Sequence, residues 1–132
     1  MALSANLKIL IVDDSEISIG IVKGVLKRKG FKQILTSYNG DEAKQILQAE
    51  YDTGNPVELI LSDWEMPRLK GIDLLNFVRQ SNIFAHIPFI MITVNNDIEH
   101  VAEAISLGIS SYIVKPINVE VLMRKISDSI KS

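Results

Sequence analysis

A chain of 132 residues fits one domain, long enough to bury roughly two thirds of its unfolded surface around a core. Its formal net charge of −2 supplies no broad basic field for nucleic-acid binding, and the absence of cysteine excludes a disulfide framework or a thiolate metal site. Met1 to Asn6 do not read as a signal peptide and no apolar run approaches the roughly 18 to 20 residues that cross a bilayer, so no membrane insertion is expected and the expected address is cytoplasmic.

Along the chain, five short runs rich in Ile, Leu and Val carry strand signals: Leu7 to Val12, Phe31 to Ser37, Val57 to Leu61, Pro88 to Thr93 and Ser111 to Val114. Between them apolar residues recur at helical spacing. Ile17, Ile21, Val25 and Leu26 mark the first such segment, Ala43, Ile46 and Leu47 the second, and Leu74, Leu75 and Val78 the third. Gly30 and Gly108 stand where C′ glycines stop helices, and Asn118 is placed to cap the last one. Tyr51 to Pro56, dense in turn residues, is the expected exposed connection. Ile9 to Val12, Ile60 to Leu61 and Phe89 to Ile92 are continuously apolar, so both faces of those strands should be covered, as in a parallel sheet. The expectation is a doubly wound α/β domain with helices on both faces.

In such a sheet ligands bind beyond the carboxyl ends of the strands, where the strand order reverses. The first predicted strand ends in Asp13 and Asp14, the third in Asp63, the fourth in Thr93, and the fifth in Lys115 before Pro116. Three clustered acids repel one another unless a hard cation sits among them, and oxygen ligands suit Mg²⁺. A lysine beside them suits a phosphoryl group. Together these are the parts of an aspartyl-phosphate site, in which one carboxylate attacks phosphorus while the cations neutralise its oxygens.

Asp13-Asp14, the stretch Asp63-Trp64-Glu65-Met66-Pro67 with Gly71 after it, Thr93, and Tyr112-Ile113-Val114-Lys115-Pro116 resemble, in order and spacing, the receiver domains of bacterial two-component response regulators. The resemblance runs from about Leu7 to the last helix and is nearest to stand-alone receivers of the chemotaxis type. It implies a single receiver domain over 1–132, with its core about 7–130, and a flavodoxin-like sheet in the order 2-1-3-4-5. It further implies that Asp63 accepts phosphate, that Asp14 ligates Mg²⁺ directly and Asp13 through water, and that the Glu65 backbone carbonyl completes the protein ligands; Mn²⁺ would substitute. Thr93 and Lys115 would bind the phosphoryl group, and Tyr112 would move inward with Thr93 to alter the face of the fourth helix, fifth strand and fifth helix. The implied partners are a sensor histidine kinase or histidine phosphotransfer protein upstream, and a downstream target or an output domain beyond this sequence.

Some positions depart from the family pattern. Lys70 precedes Gly71 where relatives often carry Asp, and Val94 follows Thr93 where relatives commonly carry Ala or Gly, which would narrow access to the phosphoryl group. Glu65 and Asn95 fall at the two variable positions that tune the lifetime of the phosphorylated state. Trp64 is expected to be a partly exposed neighbour of the site, and His86 and His100 surface or loop residues. Lys27, Arg28 and Lys29 complement the dipole at the end of the first helix.

Two rival readings are weaker. Haloacid-dehalogenase-type phosphatases place a second Asp two residues after the nucleophile, whereas Asp13 is followed by Asp14, Ser15 and Glu16. A flavodoxin would need a Ser/Thr/Gly-rich phosphate cradle after the first strand, which this sequence lacks.

Overall fold

The computed structural model describes residues 3–66, 68–94 and 98–131. Strands and helices alternate: β1 (Lys8–Val12), α1 (Glu16–Arg28), β2 (Gln33–Ser37), α2 (Gly40–Asp52), β3 (Leu59–Ser62), α3 (Gly71–Gln80), β4 (Phe89–Thr93), α4 (Ile98–Ser106), β5 (Ser111–Val114) and α5 (Val119–Lys131). The strands form one parallel sheet in the order β2-β1-β3-β4-β5. Each apolar run therefore became a strand, and the order is the flavodoxin-like one.

Side chains alternate across each strand, so every strand feeds two cores. Leu10 and Val12 of β1 join Ala43 and Leu47 of α2, Leu74, Leu75 and Val78 of α3, and Ala104 of α4 on one face. Ile9 and Ile11 join Ile19, Val22, Val25 and Leu26 of α1 and Leu122 and Ile126 of α5 on the other. The turn chemistry holds as expected. Gly30, Gly54 and Gly108 take positive φ, and the Asn118 side chain accepts the Val121 N–H at 3.0 Å.

The face of α1 is a correction. Ile17 and Ile21 are 78% and 54% exposed, while Ile19, Val22, Val25 and Leu26 form the buried stripe. This helix carries two apolar stripes, and periodicity alone does not choose between them. Docking on the sheet chooses: Ile19, Val22, Val25 and Leu26 pack with Ile9 and Ile11 of β1, while Ser15 caps the start of the helix by accepting the Ser18 N–H.

Strand order reverses between β1 and β3, because the chain leaves β1 for β2 on one side and returns to β3 on the other. The opening at a doubly wound sheet's switch point falls at the carboxyl ends of these two strands. Register then places the acids: Val12 lies beside Ser62, so the next residues, Asp13 and Asp63, leave the sheet together.

Candidate functional site

Asp13 N–H donates to the Ser37 carbonyl at 3.1 Å and Asp63 N–H to the Val12 carbonyl at 2.9 Å, so the sheet ladder itself fixes both backbones. Their carboxylates and that of Asp14 offer oxygens that all lie within 4.8 Å of one another. Asp13 is buried, Asp63 half-buried and Asp14 exposed. From just beyond β5 the Lys115 ammonium donates to Asp13 Oδ2 at 2.9 Å, Asp63 Oδ2 at 3.1 Å and the Ser18 hydroxyl at 3.2 Å. Its backbone N–H reaches the Thr93 carbonyl at 2.9 Å, which ties the lysine to the end of β4.

Three carboxylates facing one ammonium leave an excess of negative charge. Burial pushes the Asp13 carboxyl above its ordinary value and the charge of Asp63 adds to this; the hydrogen bonds from Lys115 and Ser15 offset only part. Burial works against a charged Lys115, but its hydrogen bonds to Asp13 and Asp63 outweigh that and hold its pKa above the ordinary value. Such an all-oxygen, negatively charged pocket fits a hard divalent cation. The other Asp63 oxygen, Oδ1, accepts the Trp64 N–H at 2.6 Å. The carboxylate is thus oriented by an amide on one oxygen and an ammonium on the other.

The remaining predicted residues divide. Thr93 is fully buried at the end of β4. Tyr112 is half-buried on β5, opposite Met91, and its carbonyl accepts from Lys125 at 2.5 Å. Glu65 is exposed, Val94 is 68% exposed, and Asn95 lies outside the described residues. Trp64 overturns its expectation: it is 3% exposed, packed in the core beneath α2, α3 and α4. His100 overturns its own, being a half-buried residue of α4 whose ring meets the Trp64 ring edge-on with centroids 4.6 Å apart. A contact between a strand-end residue and a helix far along the chain leaves no local signal.

Two further parts of the site were not singled out from the sequence. Ser18 became a lysine partner only through the rotation of α1. Gly71 stood in the motif without a reason, which the structure supplies: a Cβ there would lie 2.0 Å from the Asp63 carbonyl oxygen. The absent side chain lets α3 start against the backbone of Asp63, with the Gly71 N–H donating to the Trp64 carbonyl at 2.9 Å.

Fold and site together define a doubly wound sheet with an acid cluster and an ion-paired lysine at its switch point, the plan of an aspartate-centred regulatory domain. The sequence model of the response regulator receiver domain matches residues 9–127, and the chain belongs to that family. It is 39% identical over 120 residues to the chemotaxis protein CheY1 of Helicobacter pylori, covering 91% of this chain and 94% of that protein. It is 36% identical to CheY-3 of Vibrio cholerae over 124 residues, 94% and 92% of the two chains. Among solved structures, the chemotaxis response regulator CheY4 of Vibrio cholerae superposes with a TM-score of 0.78 at 27% identity, covering 94% of this chain and 98% of that one. A putative response regulator from Chloroflexus aurantiacus gives 0.85 at 25% identity, with 96% and 99% covered. The family is regulatory, and its general function is a phosphorylation-dependent switch. No helix among the described residues is long and apolar enough to cross a membrane.

Proposed function

We propose that this chain is a single receiver domain in which Asp63 accepts a phosphoryl group from the phosphohistidine of a sensor histidine kinase or histidine phosphotransfer protein. The observation that carries this reading is the ion-paired triad: Lys115 bridges Asp13 and Asp63 while Trp64 holds the second Asp63 oxygen, so one carboxylate is presented as a nucleophile among cation-binding groups. An Asp63 oxygen forms the bond to phosphorus as the donor's N–P bond breaks, and the imidazole leaves with that electron pair.

Asp14, Asp63 and the Glu65 backbone carbonyl would hold Mg²⁺, with Asp13 acting through water. When bound, the ion neutralises charge on the transferring oxygens. Lys115, freed from the carboxylates, would turn to the phosphoryl group together with Thr93. Thr93 and Tyr112 would then reshape the face of α4, β5 and α5 read by a downstream target or output domain. Glu65 and Asn95 tune the lifetime of the phosphorylated state, and Val94, stiff at χ1, narrows the approach of the donor.

Intact mass after incubation with acetyl phosphate and Mg²⁺ tests the reading. Wild type should gain one phosphate and Asp63→Asn none; a phosphate retained by Asp63→Asn would sink it. In the same assay Val94→Ala should react about threefold to thirtyfold faster. A rate no higher than wild type would remove the gating role.

A further inference from the structure

We infer that the Trp64–His100 ring contact carries the chemical state of Asp63 to α4, making His100 a positioning residue of the switch. This rests on Asp63 being the phosphoryl acceptor.

Trp64 is held to the acceptor through its backbone and to α4 through its ring. Its N–H donates to Asp63 Oδ1 at 2.6 Å, a short bond to a charged acceptor, and its carbonyl accepts from Gly71 at the start of α3. Its indole is 3% exposed and meets the His100 imidazole at 4.6 Å with an interplanar angle of 72°, the edge-to-face arrangement that aromatic pairs prefer. On the other side of that contact α4 is lightly anchored. Of its nine residues Ala104 is buried, while Ile98 and Ile105 are 86% and 65% exposed. His100 and Val101 are the half-buried residues of its first half, and it is His100, one turn before Ala104, whose ring meets Trp64.

Converting the Asp63 carboxylate to an acyl phosphate removes the charge from both of its oxygens. One becomes the bridging ester oxygen and the other a neutral carbonyl, so the bond from the Trp64 N–H weakens whichever oxygen is esterified. The Trp64 backbone then relaxes. Its ring cannot follow without disturbing the edge-to-face contact, and a helix with so little buried surface redistributes among its positions. The route runs through the residue after the acceptor, in addition to the one assigned to Thr93 and Tyr112.

The test is hydrogen exchange of a peptide spanning α4, with and without acetyl phosphate and Mg²⁺, and with intact mass recorded for each sample. Acetate leaves as the phosphoryl group transfers. Wild type, His100→Phe (which keeps a ring), His100→Ala and His100→Gln (which do not) are compared. Exchange of α4 without phosphate should be roughly threefold to tenfold faster in the two ringless variants and near wild type in His100→Phe. All should take up phosphate at rates within about twofold of wild type. The further change on phosphorylation should shrink to less than about a third of the wild-type response in the ringless variants and survive in His100→Phe. A wild-type response of α4 in His100→Ala and His100→Gln would overturn the inference. If wild type gained no phosphate, the acceptor reading would fall, and unaltered α4 exchange in the ringless variants without phosphate would dismiss the contact on its own. Trp64 is the sole tryptophan, so its emission reports independently whether the ring environment changed.

Discussion

Lys115 occupies the oxygens that a cation would claim. Its ammonium lies at hydrogen-bond distance from both Asp13 and Asp63, so it serves as a counter-ion of the acid cluster. Lys115 and a divalent cation thus compete for the same charge. Lys115→Ala should therefore bind Mg²⁺ at least as tightly as wild type, by about onefold to tenfold on a Trp64 fluorescence titration. Uncoupling of phosphorylation from the surface change should accompany it. A tenfold loss of Mg²⁺ affinity would show that the lysine organises the acids instead of competing for them. Gly71 makes the complementary point at the same scale, since a single missing methyl group decides whether α3 and the Asp63 backbone fit together.

Secondary-structure elements hold the site from below as well as above. Arg79, near the end of α3, donates through Nε to the Gly108 carbonyl at 2.8 Å and through Nη1 to the carbonyls of Ala85 and Ile87 at 3.0 and 2.7 Å; Nη2 adds a longer bond of 3.4 Å to the Ser110 hydroxyl. One planar fork thus ties α3 to the segment entering β4 and to the turn between α4 and β5, opposite the acid cluster along the strands. Burial lowers the Arg79 pKa, yet the group stays charged over any working range. Arg79→Ala should cost about 2 to 4 kcal/mol in urea unfolding, because the charged donor is lost and several carbonyls are left without it. Arg79→Lys should recover only part, since one ammonium cannot span acceptors on both loops. A midpoint unchanged in Arg79→Ala would mean that water replaces the clamp at no cost. At the far end of β1, Lys8 plays a related part: its buried ammonium pairs with Glu50 of α2 and reaches the Asn55 carbonyl at 2.8 Å.

For the whole molecule, the cost of the acid cluster sets a pH dependence. The folded-state pKa of Asp13 is raised above its ordinary 3.8, so the folded protein binds that proton more readily than the unfolded chain. Its ionisation therefore subtracts from stability as pH rises through the carboxylate range. Lys115 has the opposite sense: raised above 10.5, it contributes stability that is present below that value and is lost only as pH climbs past its folded pKa. A cation requires ionised ligands and binds only the folded state. The rise in Tm on adding saturating Mg²⁺ should thus be several degrees at about pH 7 and vanish near about pH 4. An equal rise at both would place the stabilisation elsewhere than at Asp13, Asp14 and Asp63.

Strand positions, helix stops, the capping role of Asn118 and the membership of Asp13, Asp14, Asp63 and Lys115 in one site were all legible in the sequence. The reason is that each follows from local periodicity or from a rule about where strands of a parallel sheet end. What the linear pattern could not give was rotation and long-range contact. Two stripes on α1 satisfied the same period, and only docking on the sheet exposed Ile17 and Ile21 and turned Ser18 toward Lys115. Trp64 looked like a partly exposed neighbour of the site until α4, folded against it from later in the chain, supplied His100. Arg79 carried no motif, because its acceptors, mostly backbone carbonyls, lie on two loops that come together only in the fold. Local chemistry is written residue by residue, whereas these contacts arise from how separate helices settle on a common sheet, and only the tertiary structure decides that.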